Sequence, residues 1–576
     1  MSTASTKSRS HKKKGKSEGA ASKTLAEPSR QPGSPRGDLS QRTWLIYSLS
    51  ILAVAAFLRL YHLDLVPLHH DEGVNGNFLV RLVRDGFYQY DPANYHGPTL
   101  YYFSAIIPWT LRFLFGTTAQ NTYGLHTVTI RLVPALFGLA TVGLVLLLRR
   151  RLGTIGALSA AALLAVSPGA VYLSRYYIHE TLFVFFTLGL VVAGLRYYED
   201  GHPVYLILAA VSAALLFATK ETAMISAGVL LIALLLTHIY RWLRRTSASG
   251  HQKRRKERNS LRQDGTDQTP KPLQRYGDVR MLAIWATGAI ALFIAVNVVL
   301  YSSFFTNYPK GVYDALKTFD FWTKTGKAAH VHPFETYIWW LFYQESPVLV
   351  LGTIGAAFVV WKPRNSFALF SALWAFGILA AYSLIPYKTP WLALNFIVPL
   401  ALIGGYALEV IYEQGWRPRW LIVGIMVGAI GISGYQTVDL NFFNYDNDAQ
   451  YYVYVYAHTR RETLKLIDEI DRIASRSGQG KQLGITIVST DYWPLPWYLR
   501  DYGRVGYFGH MNTSNEPVII ASEGQGAEME ATFGDRYQQV NSGFNAAGSY
   551  SLRPGVNLLL YVQRDMLGTT SEKASD

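Results

Sequence analysis

The 576-residue sequence contains no cysteine, which excludes disulfide bonds and thiolate metal ligands. Charged residues are also scarce, at 16% of the chain, whereas hydrophobic residues make up half of it. A soluble protein of this length would divide into several domains with charged surfaces. Low charge together with long apolar runs is instead typical of membrane proteins. The composition therefore predicts a polytopic membrane protein.

The excess of positive charge, +15 overall, is concentrated in two segments. Six lysines and arginines lie between Lys7 and Lys16, and eight lie between Arg241 and Arg258. Such runs can bind nucleic acid, but beside apolar spans they mark cytoplasmic segments, so we expect no nucleic-acid partner. Residues 1–42 are rich in Ser, Lys, Pro and Gly and are predicted to be a disordered, basic cytoplasmic tail rather than a signal peptide.

Eleven apolar segments are predicted to be transmembrane helices, some of them shorter than the usual ~20 residues. They run roughly over residues 43–61, 127–149, 152–172, 179–198, 204–219, 223–240, 281–303, 346–361, 366–385, 391–412 and 419–436. Lys220 and Glu221 interrupt the stretch from 204 to 240, and burying both charges at the bilayer centre would be costly. We therefore expect two short helices joined by a turn at "TKET" rather than one long helix.

This count of spans predicts the topology of a transmembrane domain over residues 43–436. The basic loop 241–280 falls on the cytoplasmic side, as Lys- and Arg-rich loops prefer. The loop 62–126, "SRYYIHE", "TKET", the loop 304–345 and "IPYKTP" all fall on the outer side. Two apolar stripes in 62–126 predict helices that lie in the membrane interface; they comprise Phe78, Leu79, Leu82 and Val83, and Tyr101, Tyr102 and Phe103.

Residues 437–576 are more polar and are predicted to form a small extracytoplasmic α/β domain. Apolar residues recur at helical spacing from Leu464 to Ala474, which predicts a helix. The segments "GITIVS", "PVIIAS" and "VNLLLYV" are typical of buried strands.

A polar cluster, "LHHDEGVNG", follows the first span and contains Asp71 and Glu72. Carboxylates at a membrane mouth are often functional when they line a cavity, but a solvated acidic turn explains this cluster equally well. A metal site built from His69, His70 and Asp71 is disfavoured, because adjacent residues rarely converge on one ion. Gly73 and Gly76, in the same cluster, suggest room for a close-approaching substrate or for a turn.

Other outer-loop residues could join this cluster, and each has a simpler explanation. In "SRYYIHE", the pairs Arg175 with His179 and Tyr176 with Glu180 are four residues apart and could share a helical face. Arg175 could equally be a snorkelling helix end, Lys220 could pair with its neighbour Glu221, and Lys388 could be a membrane anchor. His96, Gly97 and Pro98 are predicted to form a rigid turn at the start of an aromatic stretch.

Taken together, these residues place carboxylates and cations on one outer face. Transfer of a sugar from a lipid phosphate needs a base for the acceptor hydroxyl and cations for the departing phosphate. Helices lying in the interface can hold a lipid donor beside a watery acceptor. The pattern therefore favours a membrane-bound transferase.

Several motifs are similar to those of the GT-C glycosyltransferase superfamily, which includes the protein O-mannosyltransferases and the aminoarabinose transferase of lipid A. They are "HHDEG" after the first span, "HGP", "RLVPALFG", "SPGAVYLSRYYIHE" and "PYKTPWL", in this order. Within the superfamily, "STDYWPLPWYLRDYGRVGYFGH" resembles the flippase-activity-associated subfamily. The resemblance covers nearly all of residues 43–562 and implies a mostly α, GT-C fold with inverting transfer from a polyprenyl-phosphate sugar to a protein, lipid or glycan.

The resemblance also implies roles for individual residues. Asp71 would be the catalytic base with Glu72 beside it, and Glu180 would be the acidic residue of the second loop, where relatives often carry Asp. The remaining residues with implied roles are Lys388, Arg175 and Lys220 for the donor phosphate, and His70 and His96 for shaping the acceptor side. No metal ligands and no certain cofactor are predicted, although a divalent metal is compatible with the superfamily.

Two other classes of function remain open. A lipid-linked-glycan flippase component would also have many spans, but such transporters often show two related halves and charges near the membrane midplane. A non-catalytic surface-glycan assembly factor could use the aromatic "DYWPLPWYLRDY" as a glycan platform, although these rings could instead seat the domain on the membrane. The predicted location in all cases is the cell membrane, with the N-terminus cytoplasmic.

Overall fold

The structure is a computed structural model that describes residues 39–92, 96–116, 124–256, 279–324, 330–361, 365–413, 419–541 and 548–568. Most of the predicted N-terminal tail and the centre of the basic loop 241–280 lie outside these residues. The predictions of disorder for the one and of cytoplasmic location for the other stay predictions.

Long apolar helices make up most of the chain before residue 440. They are α1 (Gln41–Leu60), α4 (Thr127–Leu146), α6 (Thr154–Ala165), α7 (Pro168–Ser174), α8 (Glu180–Asp200), α9 (Pro203–Phe217), α10 (Ala223–Lys256), α11 (Val279–Tyr301), α13 (Thr336–Gln344), α14 (Ser346–Trp361), α15 (Ser366–Leu384), α16 (Leu394–Glu413) and α17 (Arg419–Val438). Four further helices connect them: α2 (His70–Asp85), α3 (Thr99–Phe115), α5 (Arg149–Leu152) and α12 (Lys310–Lys324). The central helix is α16, whose span is 83% buried within the protein.

Each of the eleven predicted spans coincides with a helix or with a bent pair of helices. In the described part of the chain, eight helices are long and apolar enough to cross a membrane, or up to ten spans if each bent pair counts as one. The bent pairs are α6 with α7, at 58°, and α13 with α14, at 114°. Helix α9 is apolar but only 15 residues long. The protein is therefore a multi-pass membrane protein, but the count of eleven spans is not confirmed.

The stretch from 204 to 240 is divided, as its sequence predicts. Helix α9 ends at Phe217 and α10 begins at Ala223. The intervening turn carries Lys220 and Glu221, so both charges lie at a helix end instead of inside a continuous span. Helix α10 is longer than predicted, since it continues to Lys256.

The outer loop 62–126 contains the two predicted amphipathic helices, α2 and α3. The stripe residues Leu79, Leu82 and Val83 are buried, and the Phe78 ring packs on Tyr101 with 5.5 Å between ring centroids. These helices therefore form part of the packed interior at one end of the bundle.

The chain after residue 460 forms a small α/β domain. Its strands are β1 (Gly484–Ile487), β2 (Arg504–Tyr507), β3 (Val518–Ser522), β4 (Tyr537–Gln539), β5 (Tyr550–Arg553) and β6 (Val556–Gln563), and its helices are α18 (Glu462–Arg476), α19 (Leu495–Tyr498), α20 (Gly526–Phe533) and α21 (Arg564–Gly568). The strand order is β2-β1-β3-β6-β4, with β5 also paired to β6. Strand β1 runs parallel to β2 and β3, whereas β6 runs antiparallel to its neighbours. All three predicted strands are present, and α18 packs its apolar face on the sheet.

Candidate active site

The N-terminus of α2 gives its two adjacent carboxylates different environments. His69 and Glu72 form a capping box: the His69 Nδ1 accepts a hydrogen bond from the Asp71 N–H at 3.1 Å, and Glu72 Oε2 accepts one from the His69 N–H at 2.9 Å. Such reciprocal capping satisfies the free donors of the first helical turn. It also fixes where the side chains at positions 71 and 72 point.

Glu72 is fully buried and its carboxylate is saturated with donors. Arg131 Nε and Nη2 bind its two oxygens at 2.7 and 2.6 Å, and the Tyr177 N–H donates to Oε1 at 2.7 Å. Arg131 also donates to three backbone carbonyls between Leu63 and Pro67. These contacts give Glu72 a structural role, and the catalytic role predicted for it is not supported by them and stays a prediction.

Asp71 is half-buried, and its carboxylate has no ion-pair or hydrogen-bond partner among the described residues. Its charge acts on its neighbour His70 and on the phenols of Tyr176 and Tyr387. A carboxylate that is held on a capped helix but has no partner can accept a proton from a bound molecule. Asp71 is therefore the better candidate for a base than Glu72.

The two histidines of the cluster link α2 to the C-terminal part of the chain. The His69 Nε2 lies 3.0 Å from the carbonyl oxygen of Tyr456. Arg553 Nη1 donates to the His70 Nδ1 at 3.3 Å, and the same guanidinium forms an ion pair with Asp491. Burial lowers the pKa of His70. No group of three or more potential metal ligands occurs in the described residues.

The turn between α9 and α10 and the predicted second acidic residue meet directly beside this cluster. Lys220 forms a buried ion pair with Glu180, and the His96 Nδ1 lies 2.9 Å from Glu221 Oε2. The suggestion that Lys220 pairs with Glu221 is therefore wrong. The reason is that adjacent side chains in a tight turn diverge, so each charge reaches a different neighbouring segment.

The "HGP" segment makes a close backbone contact with the turn between α9 and α10, and its rigidity stays a prediction. The Gly97 N–H donates to the Thr219 carbonyl at 3.0 Å, and a Cβ at Gly97 would lie 2.1 Å from the carbonyl oxygen of Ala218. The Gly97 carbonyl in turn contacts the His179 Nε2 at 3.0 Å. This contact holds His96 against Glu221.

"SRYYIHE" does not form the continuous helical face that its spacing suggests. Helix α7 ends at Ser174 and α8 begins at Glu180, so the residues between them form a turn. Arg175 uses this turn to donate to three carbonyls at the end of α1, from Leu58, Tyr61 and His62, at 3.2, 2.6 and 2.8 Å. These contacts cap α1, and the phosphate-binding role predicted for Arg175 stays a prediction.

Lys388 lies in the turn after α15 and is almost fully buried. Its ammonium donates to the Ile385 carbonyl at 2.6 Å and to the His332 carbonyl at 3.3 Å. A lysine ammonium has three N–H donors, so one N–H of Lys388 has no partner among the described residues. Burial raises the pKa of the adjacent Tyr387 to about 12, and the charges of Lys220, Asp71 and Glu180 also affect that pKa.

The C-terminal domain closes one side of this site. A Cβ at Gly73 would lie 2.5 Å from Pro494 Cβ, and one at Gly76 would lie 2.6 Å from the ring of Trp497. The Tyr498 hydroxyl accepts a hydrogen bond from the Leu68 N–H at 2.8 Å. The space at the two glycines is thus occupied by "DYWPLPWYLRDY" itself, not by a substrate.

The same contacts change the interpretation of that aromatic segment. Trp497 is 1% exposed, so it is available neither to a glycan nor to a membrane. Additional contacts come from Arg84, which forms an ion pair with Asp501, and from Arg500, which donates to the Leu125 carbonyl at 2.7 Å. The segment therefore docks the C-terminal domain on α2.

The site that results combines one unpartnered carboxylate, a lysine with a free donor, and two buried ion pairs at one end of the helix bundle. The sequence predicted most of these residues but not their partners. The signal for Arg131 was present in "RLVPALFG", where an arginine opens an otherwise apolar helix. Arg553 and Tyr387 gave no such signal, because their roles depend on contacts between distant segments.

Comparison with known proteins supports the resemblance. Residues 106–250 match the family described as dolichyl-phosphate-mannose-protein mannosyltransferase. Two solved structures of ArnT from Cupriavidus metallidurans share the fold: one bound to undecaprenyl phosphate (TM-score 0.58, 13% identity) and one in the apo state (0.54, 14%). Each alignment covers 90% of this chain and 98% of ArnT. No curated protein matches the sequence.

A third solved structure, the archaeal oligosaccharyltransferase AglB from Archaeoglobus fulgidus in complex with an inhibitory peptide and a dolichol-phosphate, is similar at a lower level. Its TM-score is 0.48 and its identity 14%, over 85% of this chain and 70% of AglB. The ArnT structures show that the chain has the GT-C fold, and the family match over residues 106–250 agrees with the predicted resemblance to membrane glycosyltransferases.

Proposed function

We propose that the protein is a glycosyltransferase that moves a sugar from a polyprenyl-phosphate donor to an acceptor hydroxyl at the outer face of the membrane. The observation that carries this proposal is the Asp71 carboxylate, which is held on a capped helix, has no partner among the described residues, and acts through its charge on Tyr387 in the Lys388 turn. The shared fold supports it, since the ArnT structure contains undecaprenyl phosphate.

The reaction would be a single displacement with inversion. Asp71 accepts the proton of the acceptor hydroxyl while that oxygen forms a bond to the anomeric carbon of the donor sugar. The bond between the anomeric carbon and the phosphate oxygen breaks, and the polyprenyl phosphate leaves with the bonding electrons. The free N–H of Lys388 binds the departing phosphate and stabilises the charge that develops on it.

The ion pair between Glu180 and Lys220 is assigned to shaping the site. Lys220 already neutralises Glu180 inside the protein, and removing either partner would leave a buried charge unpaired. His96 holds Glu221 in the same way. Tyr387, whose phenol feels the charges of both Lys220 and Asp71, is assigned to contact the donor.

The proposal is tested by incubating the purified protein with a panel of polyprenyl-phosphate sugars and measuring the release of lipid phosphate. Wild-type protein should release lipid phosphate with at least one donor, and Asp71→Asn should not. Asp64→Asn is the matched control, because Asp64 is an exposed carboxylate in the same loop and should keep full activity. Full activity in Asp71→Asn would refute the assignment of the base. Vesicles that translocate a lipid-linked glycan without altering it would instead support a transporter.

A further inference from the structure

A second feature at the same end of the molecule is an open cavity of about 490 Å³ between α13 and the chain segment that leads to the C-terminal domain. Its walls are lined by Trp339, Trp340, Tyr343, Tyr452 and Tyr456, together with Asp448, Gln450, Thr336 and His332. Pockets of roughly 300–1,000 Å³ suit small organic ligands, so this cavity can hold one or a few sugar rings.

The lining combines aromatic faces with hydrogen-bonding groups. Trp339 stacks on Tyr343 at 29° between ring planes and is half exposed, so one of its surfaces is open. The Gln450 amide is exposed and has no partner in the described residues, and the His332 imidazole makes a ring contact with Trp340 but no hydrogen bond there. Aromatic faces cover the C–H faces of a pyranose ring, while amide and imidazole groups bind its hydroxyls.

Tyr456 connects the cavity to the candidate active site. Its carbonyl accepts from His69, the cap of the helix that carries Asp71. Its hydroxyl lies 2.6 Å from the His330 Nδ1, and the His330 carbonyl accepts a hydrogen bond from the Lys388 N–H at 3.0 Å. The cavity therefore begins where the base and the phosphate-binding turn meet.

We infer that this cavity binds the saccharide part of the acceptor and so selects a glycan-bearing acceptor. The inference rests on the proposed function. The donor sugar is assigned to Asp71 and Lys388, neither of which lines the cavity, whereas Tyr456 lines the cavity and contacts His69 and His330. A polyprenyl tail is a poorer occupant, because it offers no hydrogen-bond partner for the Gln450 amide and the His332 imidazole of the lining.

Saturation-transfer NMR on the full-length protein tests this inference, with disaccharides of mannose, glucose, galactose and N-acetylglucosamine as probes. The wild type should transfer saturation to ring protons of at least one probe. Trp339→Ala should bind that probe about tenfold more weakly, as expected for removal of an aromatic anchor. Gln450→Ala should weaken binding in the same direction. Phe334→Ala is the matched control, since Phe334 is an exposed aromatic just before the same helix and outside the cavity lining.

The results also separate this inference from the proposed function. Asp71→Asn should lose sugar transfer but keep saccharide binding, whereas Trp339→Ala should raise the KM for a glycan acceptor without changing the KM for the donor. Three outcomes would each overturn the inference. They are no saturation transfer to any probe, equal binding of a probe by the wild type and Trp339→Ala, and a raised KM for the donor in Trp339→Ala. If no donor releases lipid phosphate, the proposed function fails while saccharide binding is still decided by NMR.

Discussion

Replacing Glu72 by Gln separates the structural carboxylate of α2 from the neighbouring carboxylate that is proposed to be catalytic. Each oxygen of Glu72 accepts two N–H donors: Oε1 from Arg131 and Tyr177, and Oε2 from Arg131 and His69. In glutamine, one of these oxygens becomes an NH₂ group that faces two buried donors. The substitution therefore leaves buried N–H groups unpaired as well as the charge of Arg131.

The loss of stability caused by Glu72→Gln can be worked out in two ways. Each buried donor left without a partner costs about 1–3 kcal/mol, and two donors are affected. Breaking a buried ion pair by removing one partner costs about 3–5 kcal/mol. Because both routes describe the same contacts, they are not summed, and we expect Glu72→Gln to destabilise the protein by about 3–5 kcal/mol.

The assay is thermal unfolding of purified protein in detergent, with Asp71→Asn measured in parallel. The midpoints are compared as a ranking, since a chain with two domains need not unfold in one step. We expect a clearly lower midpoint for Glu72→Gln and an unchanged midpoint for Asp71→Asn, whose carboxylate has no partner to lose. A wild-type midpoint for Glu72→Gln would refute the structural assignment, as would equal destabilisation by both substitutions.

Three further substitutions test other parts of the structure. Gly76→Ala should destabilise the docked domain by about 1–3 kcal/mol, because the new methyl would overlap the buried ring of Trp497; faster proteolytic release of the domain would show this. Burial lowers the pKa of Lys388 below its usual 10.5. Binding of the polyprenyl-phosphate donor should therefore be lost as pH rises through that lowered pKa, because Lys388 then loses its charge. Lys388→Arg should remove this loss of affinity at alkaline pH, because arginine stays charged. Glu345→Ala should lower the unfolding midpoint, because two buried donors bind that carboxylate at 2.7–2.9 Å. Glu335→Ala is the control and should leave the midpoint unchanged, because Glu335 is exposed.

Hydropathy alone located the helical segments of the bundle, because apolar runs of this length have few alternatives in a membrane. The break at "TKET" was also predictable, since its charges could not be buried in mid-span. The bends were not predicted. The 114° bend between α13 and α14 falls at Glu345, whose carboxylate accepts from Ser167 and the Gly169 N–H. That contact joins two bent pairs far apart in sequence, and no local pattern reveals it.

For the candidate site, the sequence predicted which residues gather at one end of the bundle but not how they pair. Spacing suggested that Lys220 would pair with Glu221, yet Lys220 binds Glu180. Pairing inside a packed protein depends on which segments the fold brings together. The two adjacent carboxylates could not be distinguished from their sequence either, because Arg131 reaches only Glu72.

The position of Asp71 depends on both domains. Within the helix bundle, Arg131 binds Glu72 of helix α2 and the carbonyls that precede the helix. The C-terminal domain packs on Gly73 and Gly76 of the same helix and binds His70 through Arg553. Catalysis by a positioned base is sensitive to displacements of about 1 Å. A side chain at either glycine would push the domain away from α2 without touching Asp71. The absence of side chains at these two positions therefore allows the C-terminal domain to pack directly on the helix that carries the candidate base, as a wall of the candidate site.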